Sequence, residues 1–324
     1  MAFQALVARE TGVAFEELTD GDLPPGGVLV DVAYSSLNYK DGLAVTGRGK
    51  IVRKFPMVLG IDLAGTVVAS DSDDFRPGDR VLGTGQGLGE LHWGGYSPRQ
   101  RVPADALVPV PEGMTLEQAM QLGTAGLTAM LCVLALEQND VLPGEREVVV
   151  TGAAGGVGSL AVMLLARRGY RVAASTGRPE LGEYLLGLGA TSILPREELL
   201  KKGGPMQTER WAGGVDTVGG EVLTNLFAQT AYEGAIACCG MAGGHELHVA
   251  VWPLILRNVS LLGVSSLRTS KAKRIAAWTR LAGDVDMAAL AGLSRTEPLS
   301  RIRELAEEIL AGQIRGRVAI DVTR

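Results

Sequence analysis

Cysteine and histidine are scarce in this sequence: 324 residues hold three of each. Three cysteines, at 132, 238 and 239, cannot build a disulfide framework, which makes a reducing cytoplasm the expected compartment. No Cys/His/Cys set has a spacing that suits zinc, so no metal is expected. His245 and His248 lie in a glycine-rich stretch after Cys238-Cys239 and read as loop histidines beside core thiols. Neither sign of charge dominates. Lys plus Arg is 31 and Asp plus Glu is 36, a net charge of −5, so no basic face for nucleic acid is expected. Long apolar runs are missing, with no window near the roughly 20 uninterrupted residues of a membrane span. The start, Met1-Ala2-Phe3-Gln4, lacks the basic and apolar stretches of a secretory signal. There is no Gly-x-Ser-x-Gly elbow to support serine-hydrolase chemistry, no internal repeat and no low-complexity segment.

What is present is an ordinary globular composition, 46% hydrophobic and 21% charged. At about 150 residues per domain, the length suggests two domains. Glycine is abundant, 44 residues, which means many tight turns or close backbone approaches. The first part of the chain reads as short strands punctuated by Gly and Pro, at 28–34, 60–69 and 80–83, with a short helix around 39–45. That texture is barrel-like. Near 115 it changes. Thr115 is placed to cap a helix, and a second helix is predicted over 123–138. Strands at 147–151, 171–175 and 191–194 then alternate with helices at 159–168 and 180–188, and further apolar strands fall at 215–218, 235–239 and 260–264. Such alternation predicts βαβ units and a doubly wound parallel sheet. The tail carries a helix over 299–311 and a strand over 316–322 placed to rejoin the first domain.

Thr151-Gly152-Ala153-Ala154-Gly155-Gly156-Val157-Gly158 stands between a strand and a helix. From Ala153 it reads A-x-G-x-x-G, the dinucleotide-binding pattern with Ala for its first Gly, and the strand–loop–helix context is the one that pattern needs. Ala154, Gly155, Gly156 and Val157 bring backbone close to a pyrophosphate at a helix N-terminus, and Gly158 lets the helix pack closely. The plain alternative is a tight βα turn. The next strand ends in Ser175-Thr176-Gly177-Arg178, without the acid that binds a ribose 2′-hydroxyl. Hydroxyls and an Arg fork suit a 2′-phosphate, so NADPH is expected over NADH.

Other stretches stand out with these: Ser35-Ser36-Leu37-Asn38-Tyr39-Lys40-Asp41, residues 55–62, His92-Trp93-Gly94-Gly95, residues 123–130, and residues 210–220 from Arg210-Trp211 to Gly219-Gly220. Through them almost the whole chain resembles the medium-chain dehydrogenase/reductase superfamily. Asn-Tyr-x-Asp resembles its zinc-free quinone-oxidoreductase-like branch, and Trp-Ala-Gly-x-x-Asp-Thr-Val-Gly the acryloyl-CoA reductase group. The resemblance implies an α/β fold: a GroES-like β-rich catalytic domain, 1–122 and 265–324, around an NADP-binding Rossmann domain, 123–264. Zinc members carry Gly-His-Glu where this chain has Gly60-Ile61-Asp62, and a four-cysteine lobe that three cysteines cannot supply.

Without a metal, the resemblance implies reduction of an activated double bond, acryloyl-CoA to propanoyl-CoA, by hydride transfer to the β-carbon. A quinone is the alternative substrate, and a non-catalytic dinucleotide-binding relative the alternative outside enzymes. Asn38, Tyr39 and Asp41 are the catalytic candidates. Tyr39 reads as a nicotinamide contact or proton donor, or else as a packing tyrosine, and Asp41 reads equally as a helix cap. By resemblance Thr128 adjoins the nicotinamide, and Arg196, Met241 and Ser266 line the cofactor. The basic run with Arg48, Lys50, Arg53 and Lys54 suits coenzyme A phosphates, or is a solvated loop. His92 reads as a cleft residue or a loop residue, and Cys132 as a core thiol. A homodimer is expected, through 254–256 and the strand at 260–264.

Overall fold

The computed structural model describes all 324 residues. In chain order its elements are β1 (Ala2–Arg9), β2 (Gly12–Thr19), β3 (Val28–Ser36), α1 (Tyr39–Thr46), β4 (Met57–Val58), β5 (Asp62–Ser70), β6 (Arg80–Thr84), β7 (Arg99–Val102), β8 (Leu107–Pro109) and α2 (Leu116–Gln138). Then come β9 (Val148–Thr151), α3 (Gly156–Arg167), β10 (Val172–Thr176), α4 (Gly182–Gly187), β11 (Ser192–Pro195), β12 (Trp211–Asp216), α5 (Gly220–Gln229), β13 (Thr230–Cys238), α6 (Trp252–Leu256) and β14 (Ser260–Gly263). The tail adds α7 (Lys271–Asp284), α8 (Met287–Leu293), β15 (Ser294–Pro298), α9 (Ile302–Leu310) and β16 (Arg317–Asp321). The chain divides into a first unit, Met1–Leu127, Ser266–Gly283 and Leu290–Arg324, and a second, Thr128–Ser265 with Asp284–Ala289.

In the first unit, strands β15-β16-β3-β5-β6-β8 form one sheet, with β7 also on β3, and β2-β1-β4 form another. Val28, Val30 and Val32 of β3 are buried on one core and Leu29 on another, while Asp31 is exposed, so alternation holds only over residues 30–32. The C-terminal strand β16 lies antiparallel on β3, Ala319 opposite Ser36. The hairpin β1–β2, helix α7 and strand β15 have weak sequence signals and were not expected.

In the second unit all neighbours in the sheet β11-β10-β9-β12-β13-β14 are parallel. β9 and β10 are buried throughout, which is why they read as continuous apolar runs. Strand order reverses direction between β9 and β12, and the switch point of a doubly wound sheet lies there. Strand β12 runs over Trp211–Asp216 rather than 215–218. Gly213 and Gly214 carry no apolar signal, yet a Cβ on them would come within 2.3 Å of Ala235 O and 2.7 Å of Val149 O. The helix expected over 180–188 is a 3₁₀ turn, Pro179–Leu181, followed by α4, and the one over 299–311 opens with a 3₁₀ turn, Leu299–Arg301.

Helix α2 holds both helices expected after residue 115. Thr115 and Gln118 cap it reciprocally, Gln118 N donating to Thr115 Oγ1 at 3.0 Å and Thr115 N to Gln118 Oε1 at 2.9 Å. Gly123, at φ 53° and ψ −153°, kinks it. One correction concerns apolar length. With a window of mean hydropathy 1.7, α2 is long and apolar enough to cross a membrane, because Thr, Gly and Gln interrupt it rather than charges; 72% of that window is buried in the fold, as in a core helix.

Candidate active site

In the second unit the glycine loop joins β9 to α3. Helix α3 starts at Gly156, not Ser159, so the loop's last glycines form its first turn. Gly152 has φ +59°, and a Cβ on it would lie 2.3 Å from Thr217 Oγ1. A Cβ on Gly158 would lie 2.3 Å from Gly152 O. Both glycines are thus required by the protein's own packing. Gly155 is less crowded: the nearest atom to its missing Cβ is Gly152 O at 3.3 Å, a tight contact. The first N–H groups of a helix have no partner within it and favour an anion.

A hydroxyl–carboxylate lattice pins this loop at the switch point. Thr151 Oγ1 donates to Asp216 Oδ1 at 2.6 Å, Thr217 Oγ1 to Thr151 O at 2.9 Å, and Gly219 N to Asp216 Oδ2 at 2.8 Å. Burial pushes the Asp216 carboxyl up from its ordinary range. Sequence reasoning missed Asp216 and Thr217 as loop-holding residues; their signal was a polar pair inside the expected strand 215–218, in the Trp-Ala-Gly-x-x-Asp-Thr-Val-Gly motif.

At the end of β10, Ser175 and Thr176 are buried, and Thr176 Oγ1 accepts from Arg178 N at 3.0 Å. Arg178 Nη2 donates to Ala154 O at 3.1 Å, which brings the strand end to the glycine loop. The Arg196 guanidinium lies against Gly177, where a Cβ would meet its Nη2 at 2.2 Å. One guanidinium thus lies against Gly177 and another on the glycine loop at Ala154 O, and Ser175-Thr176-Gly177-Arg178 holds no acid. Arg196 also lines a cavity of about 330 Å³ with Glu197, Leu200, Val218, Gly219 and Glu221. Exposed Met241 passes beside Gly219, its Cα 3.3 Å from where a Cβ would stand. Thr128 is buried in α2. These features fit a dinucleotide with a 2′-phosphate.

The three cysteines gather in this unit. The Cys132 thiol is pushed up by its hydrogen bond with Cys239 and by burial, and burial pushes Cys238 up to about 12. Such thiols stay protonated.

In the first unit Asn38 is the N-cap of α1, and Asp41 Oδ2 accepts from Asn38 N at 2.9 Å. Asp41 Oδ1 accepts from Ile61 N at 2.9 Å. Asp41 is 1% exposed and Asn38 9%, whereas Tyr39 between them is 54% exposed. Of the three catalytic candidates, only Tyr39 meets solvent. Asn38 Nδ2 also donates to Asp62 Oδ2 at 3.0 Å, and its Oδ1 accepts from Arg317 Nη1 at 3.3 Å. Burial and the neighbouring Asp62 charge push Asp41 up to about 7. Asp62 and Arg317 escaped sequence reasoning; a charged residue inside an apolar strand, as in Gly316-Arg317-Val318, was the available signal.

Arg48, Lys50, Arg53 and Lys54 are all exposed beyond α1, and Arg48 is paired with Glu307 at 2.8 Å. Ser266 is half-buried, its carbonyl accepting from Gln86 Nε2 at 3.0 Å. His92 is an exposed loop residue whose N–H donates to Gly87 O at 2.9 Å.

Residues 24–112 match the alcohol dehydrogenase GroES-like domain, and residues 156–282 the zinc-binding dehydrogenase family. With its β-rich first unit and parallel Rossmann sheet, the chain belongs to the medium-chain dehydrogenase/reductase superfamily. Within it, the chain is 49% identical to the acrylyl-CoA reductase AcuI of Ruegeria pomeroyi, over 99% of both chains. It is 43% identical to the putative quinone oxidoreductase YhfP of Bacillus subtilis, over 98% of both. The structure matches the yhdH oxidoreductase of Salmonella enterica, solved with NADP, at a TM-score of 0.95 and 47% identity over 99% of both chains. It matches yhfP of Bacillus subtilis, solved with NAD, at 0.95 and 42% identity over 99% of both.

Proposed function

We propose that this protein is an NADPH-dependent reductase of the carbon–carbon double bond of a short enoyl-CoA, acryloyl-CoA first. The observation that carries the reading is the pair of guanidinium groups, Arg196 against Gly177 and Arg178 on Ala154 O of the glycine loop, in a chain 49% identical over its length to an acrylyl-CoA reductase. Ala154, Gly155, Gly156, Val157 and Gly158 would hold the pyrophosphate, and Arg178 and Arg196 the 2′-phosphate. Ser175, Thr176 and Gly177 shape the strand end, while Thr128, Met241, Ser266 and Tyr39 would line the rest of the cofactor. When bound, NADPH supplies the hydride that reduces the β-carbon.

The chain's own residues do the rest. The exposed Tyr39 phenol is a donor for the substrate carbonyl, where charge develops, or for the α-carbon that must gain a proton. Buried Asn38 and Asp41 hold the turn that carries it. The exposed basic run Arg48, Lys50, Arg53 and Lys54 attracts the coenzyme A phosphates, with Arg48 sharing its charge with Glu307. In this reading the first unit is the catalytic domain and the second the cofactor domain, in a cytoplasmic enzyme. A second copy pairs along β14, the edge of its sheet, beside exposed Trp252, Ile255 and Leu256. A monomer mass in light scattering of the purified protein would overturn that pairing.

The likeness to YhfP favours quinone reduction as the second reading. The deciding experiment follows oxidation of NADPH and NADH with acryloyl-CoA, crotonyl-CoA and a quinone in parallel. Faster turnover of acryloyl-CoA with NADPH is expected; faster turnover of the quinone replaces the first reading with the second.

A further inference from the structure

Four charged or amide side chains from distant parts of the first unit meet under α1. Asp62 opens β5, Arg317 opens β16, and Asn38 and Asp41 belong to the α1 cap. Asp62 is wholly enclosed and Arg317 is 3% exposed. Asp62 Oδ2 accepts from Ser36 Oγ at 2.5 Å, from Thr124 N at 2.8 Å and from Asn38 Nδ2 at 3.0 Å; Oδ1 accepts from Thr124 Oγ1 at 2.5 Å. Arg317 donates through Nη1 to Leu37 O at 3.0 Å and Asn38 Oδ1, and through Nε to Gln121 O at 3.0 Å. Its Nη2 is buried without a hydrogen-bond partner. Burying two carboxylates and a guanidinium is costly, and a junction meant only to hold strands together is less costly with apolar side chains. Besides Ser36, Leu37, Gln121 and Thr124, these charges hold the Asn38 amide from both ends, one residue before the exposed Tyr39.

We propose that Asp62 and Arg317 are positioning residues for Tyr39: they clamp the two ends of the Asn38 side chain and so fix the first turn of α1, which carries the Tyr39 ring. An amide gripped at Nδ2 by a carboxylate and at Oδ1 by a guanidinium cannot rotate without losing both charge-assisted bonds. Asp41 Oδ2 adds to the clamp by accepting from Asn38 N at 2.9 Å and, at 3.1 Å, from the Asn38 Nδ2 that Asp62 holds, where Ser36 Oγ also accepts at 3.1 Å. The groups that face this cluster are Asp41 of α1, Asp62 of β5, Arg317 of β16 and Tyr96, whose hydroxyl donates to Ser36 O at 3.1 Å. The inference rests on the reading of Tyr39 as a residue that meets substrate or cofactor.

The test uses the full-length protein labelled with fluorotyrosine, with Tyr39→Phe identifying the Tyr39 signal among six tyrosines. In the free protein, Asp62→Asn should shift or broaden the Tyr39 fluorine resonance and leave those of Tyr170, Tyr184 and Tyr232, in the second unit, in place. In acryloyl-CoA reduction, Asp62→Asn should lower kcat about tenfold or more, with KM and the Kd for NADPH changed less than about threefold. The double variant Tyr39→Phe with Asp62→Asn should be no slower than the worse single one, since both act through one group. If Asp62→Asn does not fold, Arg317→Lys carries the same readouts and should show smaller losses than Arg317→Met. An unmoved Tyr39 resonance in folded variants, or losses that multiply in the double variant, overturns the clamp. If Tyr39→Phe alone leaves turnover unchanged, the reading of Tyr39 fails instead, and the fluorine measurement still decides the clamp.

Discussion

Asp41 shows how little residue type says about role until surroundings are known. As part of Asn38-Tyr39-Lys40-Asp41 it reads as a catalyst or a cap; in the fold it is enclosed, caps α1 and binds the Ile61 N–H. Its folded pKa of about 7 lies above the ordinary value of 3.8. A carboxyl raised in this way stabilises the fold fully below its unfolded pKa and loses that contribution as pH rises through the folded one. Melting temperature should therefore fall as pH goes from about 4 to about 7, relative to Asp41→Asn, which removes the titration. A variant with the same slope as the parent across that range would refute the assignment. Arg178 is a second residue whose effect follows from its contacts. Arg178→Ala should weaken NADPH by about 1.5–3 kcal/mol, the range for a charge-assisted bond, and leave NADH nearly unchanged. Equal losses for both cofactors, in a fluorescence titration, would remove the 2′-phosphate from this site.

At the scale of elements, the kink in α2 matters most. Gly123 has a backbone conformation that L side chains rarely adopt, and a Cβ on it would meet Asp62 Oδ2 at 2.7 Å, Ser36 Oγ at 2.8 Å and Arg317 Nη2 at 2.9 Å. Gly123→Ala thus combines backbone strain with intrusion into the buried charge cluster, and should cost about 2 kcal/mol or more. A denaturant midpoint within error of the parent would show that the kink relaxes freely. The existence of this break was legible, because helix signals restart at residue 123; its purpose was not, because nothing near Gly123 in sequence shows Asp62 and Arg317 beside it. Strand β12 teaches the converse. Its glycines hide its first half from the hydrophobic pattern, yet they are what lets β12 lie against β9 and β13.

For the whole molecule, the docking of coenzyme A phosphates is tested at the basic run. Reversing Arg53 and Lys54 to Glu should raise KM for acryloyl-CoA, more at low salt, where charges are felt over about 30 Å at 0.01 M ionic strength, and leave a small uncharged quinone untouched. Equal responses from both substrates would return the run to the status of a solvated loop. The family, the α/β class, the glycine loop and the missing acid after β10 were readable from sequence alone. The glycine loop and the missing acid lie within one βαβ unit, and the family and class rest on short motifs and elements along the chain, where side-chain period, turn chemistry and helix capping act between near neighbours. The charge cluster around Asn38 was decided by tertiary structure alone. Arg317 reaches Leu37 across 280 positions and Asn38 across 279, and only the pairing of β16 with β3 brings them together. Hydrogen bonding acts over about 3 Å in space whatever the separation in sequence, so no local pattern records it.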